Sequence, residues 1–321
     1  MSANAPKRGS AKTVGSPGPA VFRSVLVPID LTPGSDRVLG RLRMLPLATD
    51  GDVTILHVIP GSLPPRERRE AERYAKKALA SEALHLRESL STNVGVDALV
   101  TLGSAAKDIG TAATETKAEL IVMGRGGGRA LRDAFLGSTA ERVLRQAKLP
   151  VLVARLAARA AYHRPALALD LDQAAHEVLR CMLRLIPPPR PPVTVIHAFD
   201  FPYSRSAYTM LSEDEAEERK AEIQSKAAHE LARCLREALT KAHVPPAHAP
   251  HWEMHVRYGS PRLVVPKAVS KAETDLLVLG TRGYTGPAHV FLGSVAGDLL
   301  REVKCDVLVV PPSPGAAKTH P

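Results

Sequence analysis

Two short stretches of this sequence place glycines where a chain must pass close to an anion. The first reads Gly124-Arg125-Gly126-Gly127, then nine residues, then Gly137-Ser138-Thr139; the second reads Gly280-Thr281-Arg282-Gly283, then nine residues, then Gly293-Ser294-Val295. Each follows an apolar run that reads as a buried strand and ends where a helical pattern starts. A tight turn, a loop and a glycine at a helix start bring free backbone N–H groups and the positive end of a helix dipole to one small volume. Such a volume suits phosphate oxygens. Ser138 and Ser294 can cap the helix through their hydroxyls or donate to phosphate, and the two roles are compatible. With Gly at about 7% and Ser plus Thr at about an eighth of residues, one match in a chain of this length is roughly a 1% event. Two matches at corresponding points of a repeat therefore argue for a requirement.

Other phosphate-binding patterns do not fit. Gly124-x-Gly126 leads to Arg129 and Gly126-x-Gly128 to Leu131, so the dinucleotide pattern GxGxxG fails in both registers. No Lys separates Gly137 from Ser138 or Gly293 from Ser294, which argues against a Walker-type ATPase. Arg125, Arg129 and Arg132 in the first loop and Arg282 in the second either neutralise phosphate charge or stay solvated.

The elements that must position these turns occur twice. Val25-Leu26-Val27-Pro28-Ile29-Asp30 is answered by Ala166-Leu167-Ala168-Leu169-Asp170, and Val53 to Val58 by Val193 to Ala198. Leu102-Gly103-Ser104 matches Tyr258-Gly259-Ser260, Leu120 to Gly124 matches Leu276 to Gly280, and Pro150 to Val153 matches Asp306 to Val309, at a larger offset. The second copy thus carries an insertion between Phe199 and Pro250. In the first copy, strands are expected near 22–29, 52–58, 95–102, 119–124 and 149–154, with helices near 34–48, 65–91, 104–117 and 138–148. The second adds a long acidic-then-basic helix from about Ser212 to Ala242. Strand and helix alternating in this way imply an α/β fold with a parallel sheet covered on both faces. The expected organisation is a disordered tail over 1–20, a domain over 21–155, a linker over 156–164, a second domain over 165–311 and a tail over 312–321. The linker reads equally as coil or a helical turn, and Pro187 to Pro192 as a stiff extended connection inside the second domain.

Composition agrees with two cores. The chain has 321 residues, 45% of them hydrophobic, and 43 Lys and Arg against 33 Asp and Glu leave a net charge of +10. That excess favours anionic partners, yet an aromatic content of only 4% argues against a single-strand nucleic-acid platform. Cys181, Cys234 and Cys305 lie far apart and suit ordinary buried or half-buried thiols. The histidines at 243, 248, 251 and 255 sit among prolines without a helical or knuckle spacing, so no metal site is expected. No apolar run approaches a membrane span, and the chain is expected to be soluble and cytoplasmic, without membrane association.

The strand ending Val27-Pro28-Ile29-Asp30, the strand ending Leu56-His57-Val58 and the spacing G-2x-G-9x-G-[S/T] resemble the universal stress protein family, from about Val21 to Pro311. The resemblance implies two tandem Rossmann-like domains of the adenine nucleotide alpha hydrolase-like kind. Each would be a five-stranded parallel sheet in the order 3-2-1-4-5 with helices on both faces and a ligand site at the switch point between strands one and four. It further implies a nucleotide-binding stress or regulatory protein, with ATP as ligand, magnesium as a companion of the phosphates, and weak hydrolysis as the most catalysis to expect. Pro28, Ile29 and Asp30 would line the adenosine side, the main chain at Val58 the adenine edge, and Met123, Gly124, Arg125 and Gly127 the ribose and first phosphate. Gly137, Ser138 and Thr139 would bind the outer phosphates. Asp170, Ala198, Leu279, Gly280, Arg282, Gly283, Gly293, Ser294 and Val295 fill the same places in the second copy. That copy departs from the pattern at Ala168, which stands where the first has Pro28, and adds a carboxylate at Asp172. Asp30 and Asp170 also read as caps of the helices that follow, and His57 and His197 as hydrogen-bonded structural histidines. Leu149 to Ala154 and Cys305 to Val310 would pair to make an internal pseudo-dimer. A homodimer and an unidentified protein partner stay open.

Overall fold

Strands form where the sequence offers short apolar runs, and helices where apolar residues recur on one face. The computed structural model describes residues 21–90, 93–126, 136–171, 175–199, 212–281 and 292–312. The first half runs β1 (Phe22–Pro28), α1 (Ser35–Arg43), β2 (Leu47–Pro60), α2 (Pro65–Ser89), β3 (Gly95–Gly103), α3 (Ala105–Glu115), β4 (Leu120–Gly124), α4 (Ser138–Gln146) and β5 (Val151–Ala154). The second runs β6 (Pro165–Ala168), α5 (Ala175–Leu185), β7 (Val193–Phe199), α6 (Glu213–Lys241), a 3-10 turn (Pro246–His248), β8 (Trp252–Tyr258), α7 (Pro261–Lys271), β9 (Leu276–Gly280), α8 (Ser294–Glu302) and β10 (Asp306–Val310).

The ten strands among the described residues join one sheet in the order β3-β2-β1-β4-β5-β10-β9-β6-β7-β8. Pairing is parallel within each half. At the centre β5 and β10 pair antiparallel, Val151 opposite Val309 and Val153 opposite Val307, which makes the chain an internal pseudo-dimer. Side chains alternate across the pleat, so Val25 and Val27 join the core on one face while Leu26 and Ile121 join that on the other. Each core contains residues of both halves.

Two element boundaries differ from the sequence expectation. The helix expected over 34–48 ends at Arg43, and β2 starts at Leu47. Pro46 explains both, because it removes an N–H and disfavours helical geometry at the residue before it. The segment between β5 and β6 contains no helix, which settles the linker as coil. In α6 the expectation is closer: Ser212 and Glu215 form a reciprocal capping box at its start.

The seam between the halves buries charge. Asp306, fully buried at the start of β10, accepts from Arg41 Nε of α1 at 2.7 Å, Tyr162 Oη at 2.9 Å, and the main-chain N–H groups of Arg155 and Leu156 at 2.7 and 2.8 Å. Four donors on one carboxylate tie the first half, the linker and the second half together. At the positions related by the repeat, Arg41 is answered by Cys181 and Asp306 by Pro150, so the arrangement exists on one side of the seam.

Candidate nucleotide site

β1 and β4 are neighbours, but the chain leaves them toward opposite faces of the sheet, which opens a crevice beyond their C-terminal ends. A cleft of about 740 Å³ fills it, a size suited to a small-molecule ligand. Pro28, Ile29, Asp30, Val58, Met123, Gly124, Arg125 and Thr139 line this cleft, together with Leu31 to Ser35, Arg37, Ala105, Ile109 and Arg155. The structure therefore brings most of the residues singled out in the first copy to one volume. Gly137 and Ser138 start α4 and are not among the lining residues, and Gly127 lies outside the described residues.

The β1–α1 turn is organised by Asp30. Its Oδ1 accepts from Thr32 N at 3.2 Å, Thr32 Oγ1 at 2.7 Å and Ser35 Oγ at 3.0 Å, and Leu31 takes a left-handed φ of 58° within that turn. Asp30 is not the cap of α1, whose N-cap is Gly34. Its carboxylate shapes the loop, and Oδ2 has no donor among the described residues. Beside it, His57 Nδ1 contacts the carbonyl of Ile29 at 2.9 Å, and His197 Nδ1 contacts that of Leu169 at the same distance. A carbonyl only accepts, so each Nδ1 carries the proton and each ring braces the end of strand β1 or β6. Both histidines thus have a structural task.

The glycine-rich loop is closed at its base. Gly137 N–H donates to the carbonyl of Arg125 at 2.7 Å, and Gly293 N–H donates to that of Thr281 at 2.8 Å. A Cβ on Gly293 would lie 2.9 Å from the Thr281 oxygen, and Gly126 has a left-handed φ of 68°, so these positions need glycine for close approach and for backbone sign. Neither α4 nor α8 has a side-chain cap, because the N-cap residues are Gly137 and Gly293 themselves. Ser138 and Ser294 fall one position too late to cap, which removes that alternative. Among the described residues no side chain caps the first-turn N–H groups, which suits them to water or a ligand.

Sequence reasoning missed Arg37 and Arg155. With Arg125 they bring three arginines to the lining of the first cleft. At the related positions of the second half stand Glu177, Thr281 and Pro311. Arg37 carried no motif, and Arg155 was the last residue of the expected first domain, outside every motif, so neither could be assigned before the crevice was seen. In the second half Asp170 Oδ1 accepts from Leu171 N at 3.0 Å, Ala198 is the penultimate residue of β7, Gly280 ends β9, and Leu279 is buried. Gly293, Ser294 and Val295 open α8. Asp172, Arg282 and Gly283 lie outside the described residues.

Comparison with known proteins gives a consistent result. The family model described as the Universal stress protein family matches residues 22–155 and again 161–311. A segment of 59 residues is 37% identical to the universal stress protein E homolog of Haemophilus influenzae, spanning 18% of this chain and 19% of that protein. The curated relatives are thus matched over about a fifth of their length. Among solved structures, a universal stress protein from Archaeoglobus fulgidus aligns over 90% of this chain and 98% of its own with a TM-score of 0.63 at 17% identity. A universal stress protein from Pseudomonas aeruginosa aligns over 91% of this chain and 94% of its own with a TM-score of 0.58 at 20% identity. At that identity the likeness concerns the fold. No helix among the described residues is long and apolar enough to cross a membrane.

Proposed function

Because the chain belongs to the universal stress protein family, matched over both halves, we propose that it binds ATP or a related adenine nucleotide in the cleft of its first half and acts as a stress-response or regulatory protein. The observation that carries this reading is the convergence, at one crevice, of Asp30, Val58 near the end of β2, the turn after β4 and the first turn of α4.

The residues present fit such a ligand. Ile29, Ile109 and Met123 supply apolar surface for a planar base, and the Val58 main chain offers a partner to its edge. Asp30 Oδ2 is available to a ribose hydroxyl, since Oδ1 is engaged by the β1–α1 turn. Phosphate would meet the N-terminal N–H groups of α4 and the charges of Arg37, Arg125 and Arg155. Among the described residues no group of three or more His, Cys, Asp or Glu could hold a metal ion, so magnesium would be held mainly by the phosphates. Asp30 is the one carboxylate among the described residues that line the cleft, where fast metal-assisted hydrolysis would call for a pair, which favours binding over turnover.

The second half is the lesser candidate, because Ala168, Glu177 and Thr281 stand where the first half has Pro28, Arg37 and Arg125. Nucleotide released from the purified chain by denaturation, then identified and counted, tests the reading. An adenine nucleotide at one or two per chain supports it. A protein that carries none and fails to bind added ATP with magnesium sinks it.

A further inference from the structure

Arg155 is the first residue after β5, and it belongs to two places at once. It lines the first cleft with Arg37 and Arg125. Its Nη1 and Nη2 donate to the carbonyls of Val303 and Leu300 at the C-terminal end of α8, in the other half. A cation there satisfies carbonyls that the helix leaves unpaired and faces the negative end of its dipole. Asp306 fixes the backbone on which Arg155 sits, accepting from the N–H groups of Arg155 and Leu156. Arg37 reaches the Arg155 carbonyl at 3.5 Å.

The guanidinium is not fully satisfied by these contacts. Its Nε is buried without a hydrogen-bond partner among the described residues, so one donor of a charged group is unspent there. Burial holds its pKa below the ordinary arginine value, and the charge of Arg125 acts in the same direction. It still stays protonated at neutral pH. Two like charges converging on one cleft favour an anion between them. The repeat provides a comparison inside the molecule, since Pro311 stands at the position of Arg155 and Thr281 at that of Arg125. At these two positions the cations are therefore peculiar to the first half.

We propose that Arg155 is a specificity residue of the first cleft, selecting ligands with a phosphate tail over the bare nucleoside while its guanidinium is shared with the C-terminal carbonyls of α8. The inference rests on the nucleotide reading above. It adds that the anion preference of the first half is set partly by the second half, through a residue outside the glycine-rich motif.

Titration calorimetry on the full chain, with ATP plus magnesium and separately with adenosine, tests the assignment. In Arg155→Gln, loss of one charge-assisted contact should weaken ATP by about tenfold and leave adenosine within about twofold. Arg155→Lys keeps the charge and should restore most of the ATP preference. Arg155→Met, which fills similar space without charge, replaces the glutamine variant if that fails to fold. An unchanged ratio of ATP to adenosine affinity overturns the assignment, as does an equal loss of both ligands, which would mark a structural role. Failure of the unaltered chain to bind either ligand instead sinks the nucleotide reading, and this inference with it.

Discussion

Arg41 of α1 and Asp306 of β10 meet at 2.7 Å with side chains 4% and 0% exposed, so one ion pair, fully withdrawn from water, joins the two halves. Arg41 also donates through Nη1 to the Ala160 carbonyl at 3.0 Å and stacks on the Tyr162 ring at 4.1 Å. Such a pair contributes little net stability over an apolar pair, but removing one member strands the other charge in the interior.

Asp306→Ala should therefore destabilise the chain by about 3–5 kcal/mol, since Arg41 is left buried and the Arg155 and Leu156 N–H groups lose their acceptor. Arg23 and Asp50 also form an ion pair, but with side chains 60% and 66% exposed, so Asp50→Ala should cost at most about 1 kcal/mol. Urea unfolding of both variants provides the comparison, and similar losses would contradict it.

Glycines should separate by what surrounds them. Gly293→Ala sets a Cβ 2.9 Å from a backbone oxygen and should cost about 1–3 kcal/mol, because the loop closure must shift to relieve the overlap. Gly110, inside α3, has nothing within 4 Å of an added Cβ, so Gly110→Ala should stabilise by about 0.5–1 kcal/mol. Thermal melts of the two variants should move in opposite directions.

Alkaline pH should destabilise the seam. Burial, then the charge of Asp306, push the Tyr162 hydroxyl well above its ordinary pKa. Burial also pushes the Cys181 thiol up to about 11 and the Cys305 thiol to about 12. A group whose folded pKa is raised contributes stability that is fully present below its unfolded pKa and is lost as pH rises toward the folded value. Melting temperature should thus fall from about pH 9, where unfolded thiols begin to ionise, and more steeply beyond about pH 10, where unfolded tyrosine does. Tyr162→Phe should show a shallower decline above that point, and an identical profile would count against the assignment.

The same burial predicts an order of thiol reactivity. Cys181 and Cys305 are buried, whereas Cys234 on α6 is half-buried, and only a thiolate within reach of solvent reacts quickly. Labelling of the native chain with an alkylating reagent near pH 8, followed by peptide mass analysis, should find Cys234 modified first. Early modification of Cys305 would mean that the seam opens in solution.

Much of this was legible in the residues. Local apolar runs and repeat offsets indicated ten strands, and the glycine spacing identified the two strand-to-helix turns, because backbone sign, close approach and periodicity are properties of neighbouring residues. Errors arose where one residue outweighed a pattern. Pro46 cut the expected first helix short, and a glycine rather than the serine after it became the N-cap of α4 and α8.

What the sequence by itself determined is thus the doubled α/β plan, the glycine-rich turns and the candidate residues within each motif. Tertiary structure alone decided that Arg37 and Arg155 join Arg125 in the lining of one cleft, that Asp30 shapes a loop instead of capping a helix, and that a one-sided carboxylate holds the seam. The reason is one of range. Turns and strands follow from forces acting over a few residues, whereas Arg41 and Asp306 are 265 positions apart, and no local pattern records a partner that only the pairing of β5 with β10 brings into reach.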